Sequence, residues 1–250
     1  MRATLALTGP KGAAAYGLDG FVGHDWAPSW CAPLSGRRGP RIIRTRRWEE
    51  PLIVAGVAVA PPHLVLRHLG ACPRDLIGRS DRITPADRVE LALEHCLRLG
   101  WVTLDALSSG GGCQAGDLLL QQVIARREDV VPTESYAETR AVQRFRTYGL
   151  RCWRQMHVWD KGRIQHRADL VIPRAETVRM PFKPEVLKPH HGLLVEIDSR
   201  AFHESRFEED HERQSTYDAL CFHWVSFTPM QIERHPAKVR RAIEGAMRRM

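Results

Sequence analysis

A chain of 250 residues, 43% hydrophobic and 26% charged, is long enough to bury more than one core. The apolar run Leu52–Ala60 falls well short of the about 20 residues that a bilayer-spanning helix needs. The opening MRATLALTGPKG lacks the charged-then-apolar order of a secretory signal, so a cytoplasmic protein is expected, and the net charge of +8 favours a polyanionic partner, most simply nucleic acid.

Only five of the 37 cations are lysine. Arginine's planar fork suits phosphate, although a GC-rich genome gives the same bias. Cys31, Cys72, Cys96, Cys113, Cys152 and Cys221 include no CxxC pair, which argues against a zinc ribbon or a disulfide framework and for buried thiols.

In chain order, GPKGAAAYGLDG (9–20) predicts a short Gly-bounded helix; no Gly-Lys-Ser/Thr closes it, so it is not a phosphate loop. GRRGPRIIRTRRW then brings Arg37, Arg38, Arg41, Arg44, Arg46 and Arg47 into eleven residues. Its alternation reads either as a basic strand lying along phosphates or as an edge strand charged against aggregation. LIVAGVAVAPP predicts a buried strand ended by prolines.

TPADRVELALEHCLRLG (84–100) predicts a helix capped by Thr84 and Asp87, with Pro85 in its first turn and Gly100 after its end. Val89, Leu93, Cys96 and Leu97 form its buried stripe, and His95 falls off it, so this histidine is expected at the surface. SSGGGCQAG (108–116) reads as a flexible connection and REDVVP (127–132) as a stop, placing a domain boundary near residue 130.

Beyond it, a helix near 135–145 precedes strands near 151–159 and 163–172, joined by the turn DKG, and a strand at 193–198. A charged helix (204–220), a strand (222–227) and a last helix (237–250) complete an α/β sandwich with a mixed sheet.

Four acids stand out on these elements. Glu138 shares the helical phase of Val142 and Phe145, although Ser135-x-x-Glu138 is also a capping box. Asp169, in HRADLVIP, needs a partner or solvent, for which Arg167 or Arg174 would serve. In LLVEIDSRAFHES, Glu196 and Asp198 point from one face of a strand, either into solvent or towards a cation. One helix acid, one acid on a following strand and two on the next can converge at one sheet edge. Such hard oxygens suit Mg²⁺ (or Mn²⁺), which would relieve the repulsion between them. Phosphodiester hydrolysis is the chemistry a basic protein would perform there.

The string SYAETR … HRADLVIP … LLVEIDSRAFH … DHER … WVSFTP, over about residues 135–246, resembles the domain of unknown function 559. That family is a relative of the very-short-patch-repair endonucleases within the PD-(D/E)XK superfamily. The resemblance implies a restriction-endonuclease-like core, DNA as partner, Glu138 as the helix acid, and Asp169 and Glu196 as metal-binding acids. Asp198 would complete the metal shell where the superfamily usually has lysine, His203 would serve as general base or acid, and Asp210 and Arg213 would support the site. Ser199 departs from the family's usual glycine, and the connection over 174–192 is longer than usual, with His190 and His191 read as loop residues.

More weakly, AAAYGLDG, RIIRTRRW and GVAVAPPHLVLRHL resemble an AbiEi-like antitoxin region. This implies a regulator-type N-terminal domain over 1–130, smaller and α+β, with the usual winged helix absent, ahead of an endonuclease-like domain over 131–250.

Two functions are therefore expected in order. The first is a metal-dependent DNA endonuclease or nickase, with Glu138, Asp169, Glu196, Asp198 and His203 catalytic and Asp169, Glu196 and Asp198 on the metal. Arg37, Arg38, Arg41, Arg44, Arg46 and Arg47 would hold the nucleic acid. The second is a catalytically silent, DNA-binding antitoxin-type regulator that keeps the nuclease fold. The missing lysine and Ser199 favour the second, and the intact acids and histidine favour the first.

Overall fold

The computed structural model describes residues 6–21, 49–71, 83–109, 117–127, 131–174, 186–198 and 207–250. The arginine cluster 37–47, Ser199, His203 and residues 175–185 of the long connection lie outside them. The chain divides into two compact units, Met1–Arg127 and Glu128–Met250. They are nearly equal in length, so the N-terminal unit is not the smaller one that the sequence suggested.

The first unit contains α1 (Gly9–Ala15), β1 (Leu52–Val54), β2 (Val57–Val59), α2 (Pro62–Ala71), α3 (Pro85–Arg98), α4 (Leu104–Ser109) and α5 (Asp117–Ala125). Its core joins Leu18, Phe21, Val65, Leu69, Leu93, Leu107, Leu120 and Val123, all buried. The expected single buried strand in LIVAGVAVA is instead a tight antiparallel hairpin, Val54 paired with Val57. Ala55 and Gly56 both take positive φ (47° and 78°), the conformation of a two-residue hairpin turn. Ile53, on the outer arm, is 71% exposed.

The third helix begins as its sequence indicates: Thr84 Oγ1 accepts from Asp87 N at 3.1 Å. It is buried beyond its apolar stripe, however. Glu90 and Glu94 are fully buried and meet Arg126 (Nη2–Oε2 2.5 Å) and Arg127. His95 is likewise drawn inward, its Nδ1 lying 3.1 Å from Asp19 Oδ1, which corrects its expected surface position. Replacing Thr84 by alanine removes only the cap and should destabilise the fold by about 1 kcal/mol, read as a lower urea midpoint at unchanged slope.

The second unit runs α6 (Tyr136–Thr147), β3 (Trp153–Asp160), β4 (Arg163–Pro173), β5 (Gly192–Ile197), α7 (Phe207–Ala219), β6 (Trp224–Phe227), α8 (Pro229–Arg234) and α9 (Pro236–Arg249). The expected mixed α/β architecture is present. The sheet has the order β3-β4-β5-β6, antiparallel except for the parallel β5–β6 pair. A parallel pair needs a crossover, and α7 supplies it. Lys161 and Gly162, at φ 47° and 77°, make the tight turn between β3 and β4.

Helices cover both faces. Leu170, Ile172, Leu193, Val195 and Phe227 pack with Val142 and Phe145 of α6 and with Val239 and Ile243 of α9. Met156, Val158, Ala168, Val171 and Leu194 pack with Tyr217 of α7. The short helix α8, absent from the sequence reading, follows a Thr228–Gln231 capping box. Its Glu233 ties it to α6 through Arg140 (Nε–Oε1 2.5 Å) and Arg144 (3.0 Å). Gly192 is required where β5 enters, because an added Cβ would lie 2.4 Å from the Ile172 carbonyl oxygen.

Candidate active site

The site grows out of a fork in the sheet. The fourth strand pairs with β5 through Leu170–Pro173, opposite Val195–Gly192, while among the described residues Arg163–Ala168 pairs with β3 alone. Asp169 is the residue at which the β3–β4 ribbon leaves β5. Leu194 in β5 and Asp198 just past its end donate their N–H groups to His223, just before β6, and to Phe227 of β6, so the N–H of Ile197 faces the side that β4 has vacated. Asp169 Oδ2 accepts it at 2.8 Å. A buried backbone donor left without its strand is thereby satisfied by a carboxylate.

The register extends this point into a row. Arg154–Leu170 and Met156–Ala168 bracket Gln155 opposite Asp169, and the Leu170–Val195 pairing carried one residue on puts Glu196 opposite Asp169 on its other side. The strand faces also switch here. Trp153 and Met156, three residues apart, pack against one cluster, whereas regular alternation would place them on opposite faces. Gln155 absorbs the switch at φ 53°.

Glu138 arrives from the other direction, in the first turn of α6. Ser135 Oγ accepts from Glu138 N (3.1 Å) and donates to Glu138 Oε1 (2.9 Å), so the capping role is real. Its Oε2 also accepts from Glu134 N (2.9 Å) and from Gln155 Nε2 (2.7 Å), which ties the helix end to the row. On the opposite face, Glu196 accepts from Tyr217 Oη at 2.8 Å and from Arg213 Nη1 at 2.9 Å. These two partners sit one turn apart on α7.

Three carboxyl groups therefore crowd the fork. Burial, then the charge of Asp169, push Glu138 up to about 7. The same two causes push Glu196 up to about 7 despite Arg213 and Tyr217. Burial raises Asp169, while the Ile197 N–H and Arg213 pull it back. Asp169 is the charge that the other two acids share. Of the two arginines offered as partners for Asp169, Arg167 pairs instead with Glu134 (2.5 Å). Beyond Arg213, His166 Nε2 lies 3.2 Å from Thr216 Oγ1, and burial followed by the charge of Arg213 lowers its pKa.

Asp198 follows the end of β5, half-buried, with its N–H donating to Phe227 O at 2.9 Å. Among the described residues no three Asp, Glu, His or Cys side chains stand grouped as ligands for a metal ion. Mg²⁺ does not require three, since it is commonly held by one or two carboxylates and keeps several waters. The donors here are hard oxygens with surplus negative charge, so the residues fit such a cation. Glu196 must release Arg213 to serve it.

Of the five catalytic residues that the sequence singles out, Glu138, Asp169 and Glu196 meet electrostatically, Asp198 stands just past the end of β5, and His203 lies outside the described residues. Sequence reasoning named Arg213 only as support, and it missed Gln155 and Tyr217. The Arg213-x-x-x-Tyr217 spacing was available as a signal, because residues four apart share a helix face. No protein-family model, curated protein or solved structure matches the chain.

Proposed function

We propose that the second unit is a metal-dependent DNA endonuclease or nickase of restriction-endonuclease-like type. The observation that carries this reading is Asp169 at the fork, flanked across the strands by Glu196 and joined through its charge to Glu138. Mg²⁺ or Mn²⁺, held by Asp169 and Glu196 with Asp198 at the border, would supply charge neutralisation of a scissile phosphate and an acidified water.

The chain's own residues do the rest. Asp169 is oriented by the Ile197 N–H, and Glu196 by Tyr217. Glu138, buried with its pKa near neutrality, can take up or hold a proton at Oε1, where the Ser135 hydroxyl can turn to accept it, while Oε2 goes on accepting from Glu134 N and Gln155 Nε2. His203, from the family resemblance, is the second proton carrier. The exposed Lys238, Arg240, Arg241, Arg248 and Arg249 of α9 give this unit a basic face for phosphates. Purified protein should relax or linearise supercoiled plasmid with Mg²⁺ or Mn²⁺ and stop on chelation. DNA that is bound but left intact under every divalent cation would overturn the proposal.

That negative outcome is the signature of a second reading, a silent DNA-binding regulator, which one observation favours. Both oxygens of Glu196 are already occupied by Arg213 and Tyr217, as in a structural ion pair.

Either reading uses arginine–phosphate pairing, and the share expected from residues 37–47 can be measured. Replacing Arg44, Arg46 and Arg47 by glutamine should flatten the slope of log affinity against log salt by about 0.9 for each phosphate no longer neutralised. An unchanged slope would remove that cluster from the interface.

A further inference from the structure

Two costs fall on one residue of the row. Gln155 holds φ at 53°, in the left-handed region that glycine adopts freely and other residues adopt at a penalty. It is also 7% exposed, and among the described residues its Oε1 has no hydrogen-bond partner. Buried polar atoms are seldom left in that state. Residues that carry such penalties cluster where a ligand or a reaction needs them.

The direction of the amide follows from its other end. Nε2 donates to Glu138 Oε2 at 2.7 Å. Turned over, the amide would set its oxygen against a carboxylate oxygen, acceptor against acceptor. Gln155 Oε1 is thus held beside Glu138, in the strand row that continues through Asp169 to Glu196. A neutral carbonyl oxygen among acids gains most from a cation or from the protons of a cation's water.

We infer that Gln155 is a further residue of the cation site, its Oε1 taking the divalent ion or one of the ion's waters on the Glu138 side of Asp169. The inference rests on the reading in which Asp169 and Glu196 hold that ion. It accounts for both penalties at once: the left-handed backbone turns the side chain towards α6, and the orphaned oxygen is the ligand. A purely structural tie between β3 and α6 would need only the Nε2 bond to Glu138.

The test is Mn²⁺ binding to the full chain, read from the electron paramagnetic resonance signal of free Mn²⁺. It compares the unaltered protein with Gln155→Gly, Gln155→Leu and Asp169→Asn. Circular dichroism without metal establishes that each variant is folded. Glycine relieves the backbone at this position while removing the amide, and leucine keeps the bulk without the oxygen. Mn²⁺ affinity is expected to fall about tenfold or more in both Gln155 variants, as it does when a supporting ligand partner is removed.

Unchanged affinity in a folded Gln155 variant, with binding lost in Asp169→Asn, would overturn the role of Gln155 and leave the two-acid site standing. No Mn²⁺ binding to the unaltered chain would overturn both.

Discussion

The Asp169→Asn protein should fold as well as the unaltered chain and lose metal-dependent DNA cleavage by at least about a hundredfold, beyond the cost of losing an outer-shell partner. Asparagine keeps an oxygen that can accept the Ile197 N–H, so the fork stays satisfied. What it removes is the charge that Glu138 and Glu196 both feel. Their pKa values should fall towards the ordinary carboxyl range, and the metal-free protein should become more resistant to urea at neutral pH. A variant that is stabilised and inactive separates a ligand from a structural acid. One that cleaves at the normal rate would return Asp169 to a backbone-capping role.

Arg213→Met should destabilise the metal-free protein by about 2–3 kcal/mol at about pH 8. This is less than the about 3–5 kcal/mol of breaking a fully buried pair, because a third of the Arg213 side chain faces water. The effect should depend on pH with a definite sign. Folding raises the Glu196 carboxyl from about 4.3 in an open chain to about 7. The folded state then binds the proton more tightly than the unfolded one, so stability is full below the open-chain value and is lost as pH rises through about 7.

Glu138 contributes in the same direction. Without Arg213, the Glu196 pKa moves higher still and the loss extends to higher pH. Urea unfolding at about pH 5.5 and about pH 8 should therefore show a small penalty at the first and the full one at the second. Millimolar Mg²⁺ should recover most of it by supplying the missing positive charge. An equal penalty at both pH values, untouched by Mg²⁺, would mean that Arg213 acts through packing alone.

The parts of this architecture that were legible in the sequence are those encoded locally. Thr84, Asp87 and the apolar phase define α3, and the DKG turn between two alternating runs defines the β3–β4 hairpin. Glu138 could be placed in a first helical turn because Ser135 precedes it by three. What was hidden depends on partners distant in sequence or on unflagged backbone states. LIVAGVAVA is apolar throughout, and the single Gly56 is too slight a mark to split it into two strands at Ala55–Gly56.

The left-handed conformation of Gln155 has not even that mark: no glycine announces it, and its partners are Glu138 and the register of β4. The fork itself was unreadable because Arg163–Pro173 is one uninterrupted strand whose pairing with β5 stops at Val195 while β5 runs on to Ile197. Arg213 and Tyr217 looked like members of a charged outer helix until Glu196 was found between them.

The central claim is that Asp169 and Glu196 form a divalent-cation site from which Arg213 withdraws. A crystal of the full chain grown with Mn²⁺ and measured at the manganese absorption edge tests it most directly. The account predicts an anomalous peak within ligand distance of both carboxylates, about 2.0–2.6 Å by analogy with hard cations on oxygen, with Arg213 turned away from Glu196. An ordered fork with Arg213 still on Glu196 and no anomalous density beside Asp169 would contradict it.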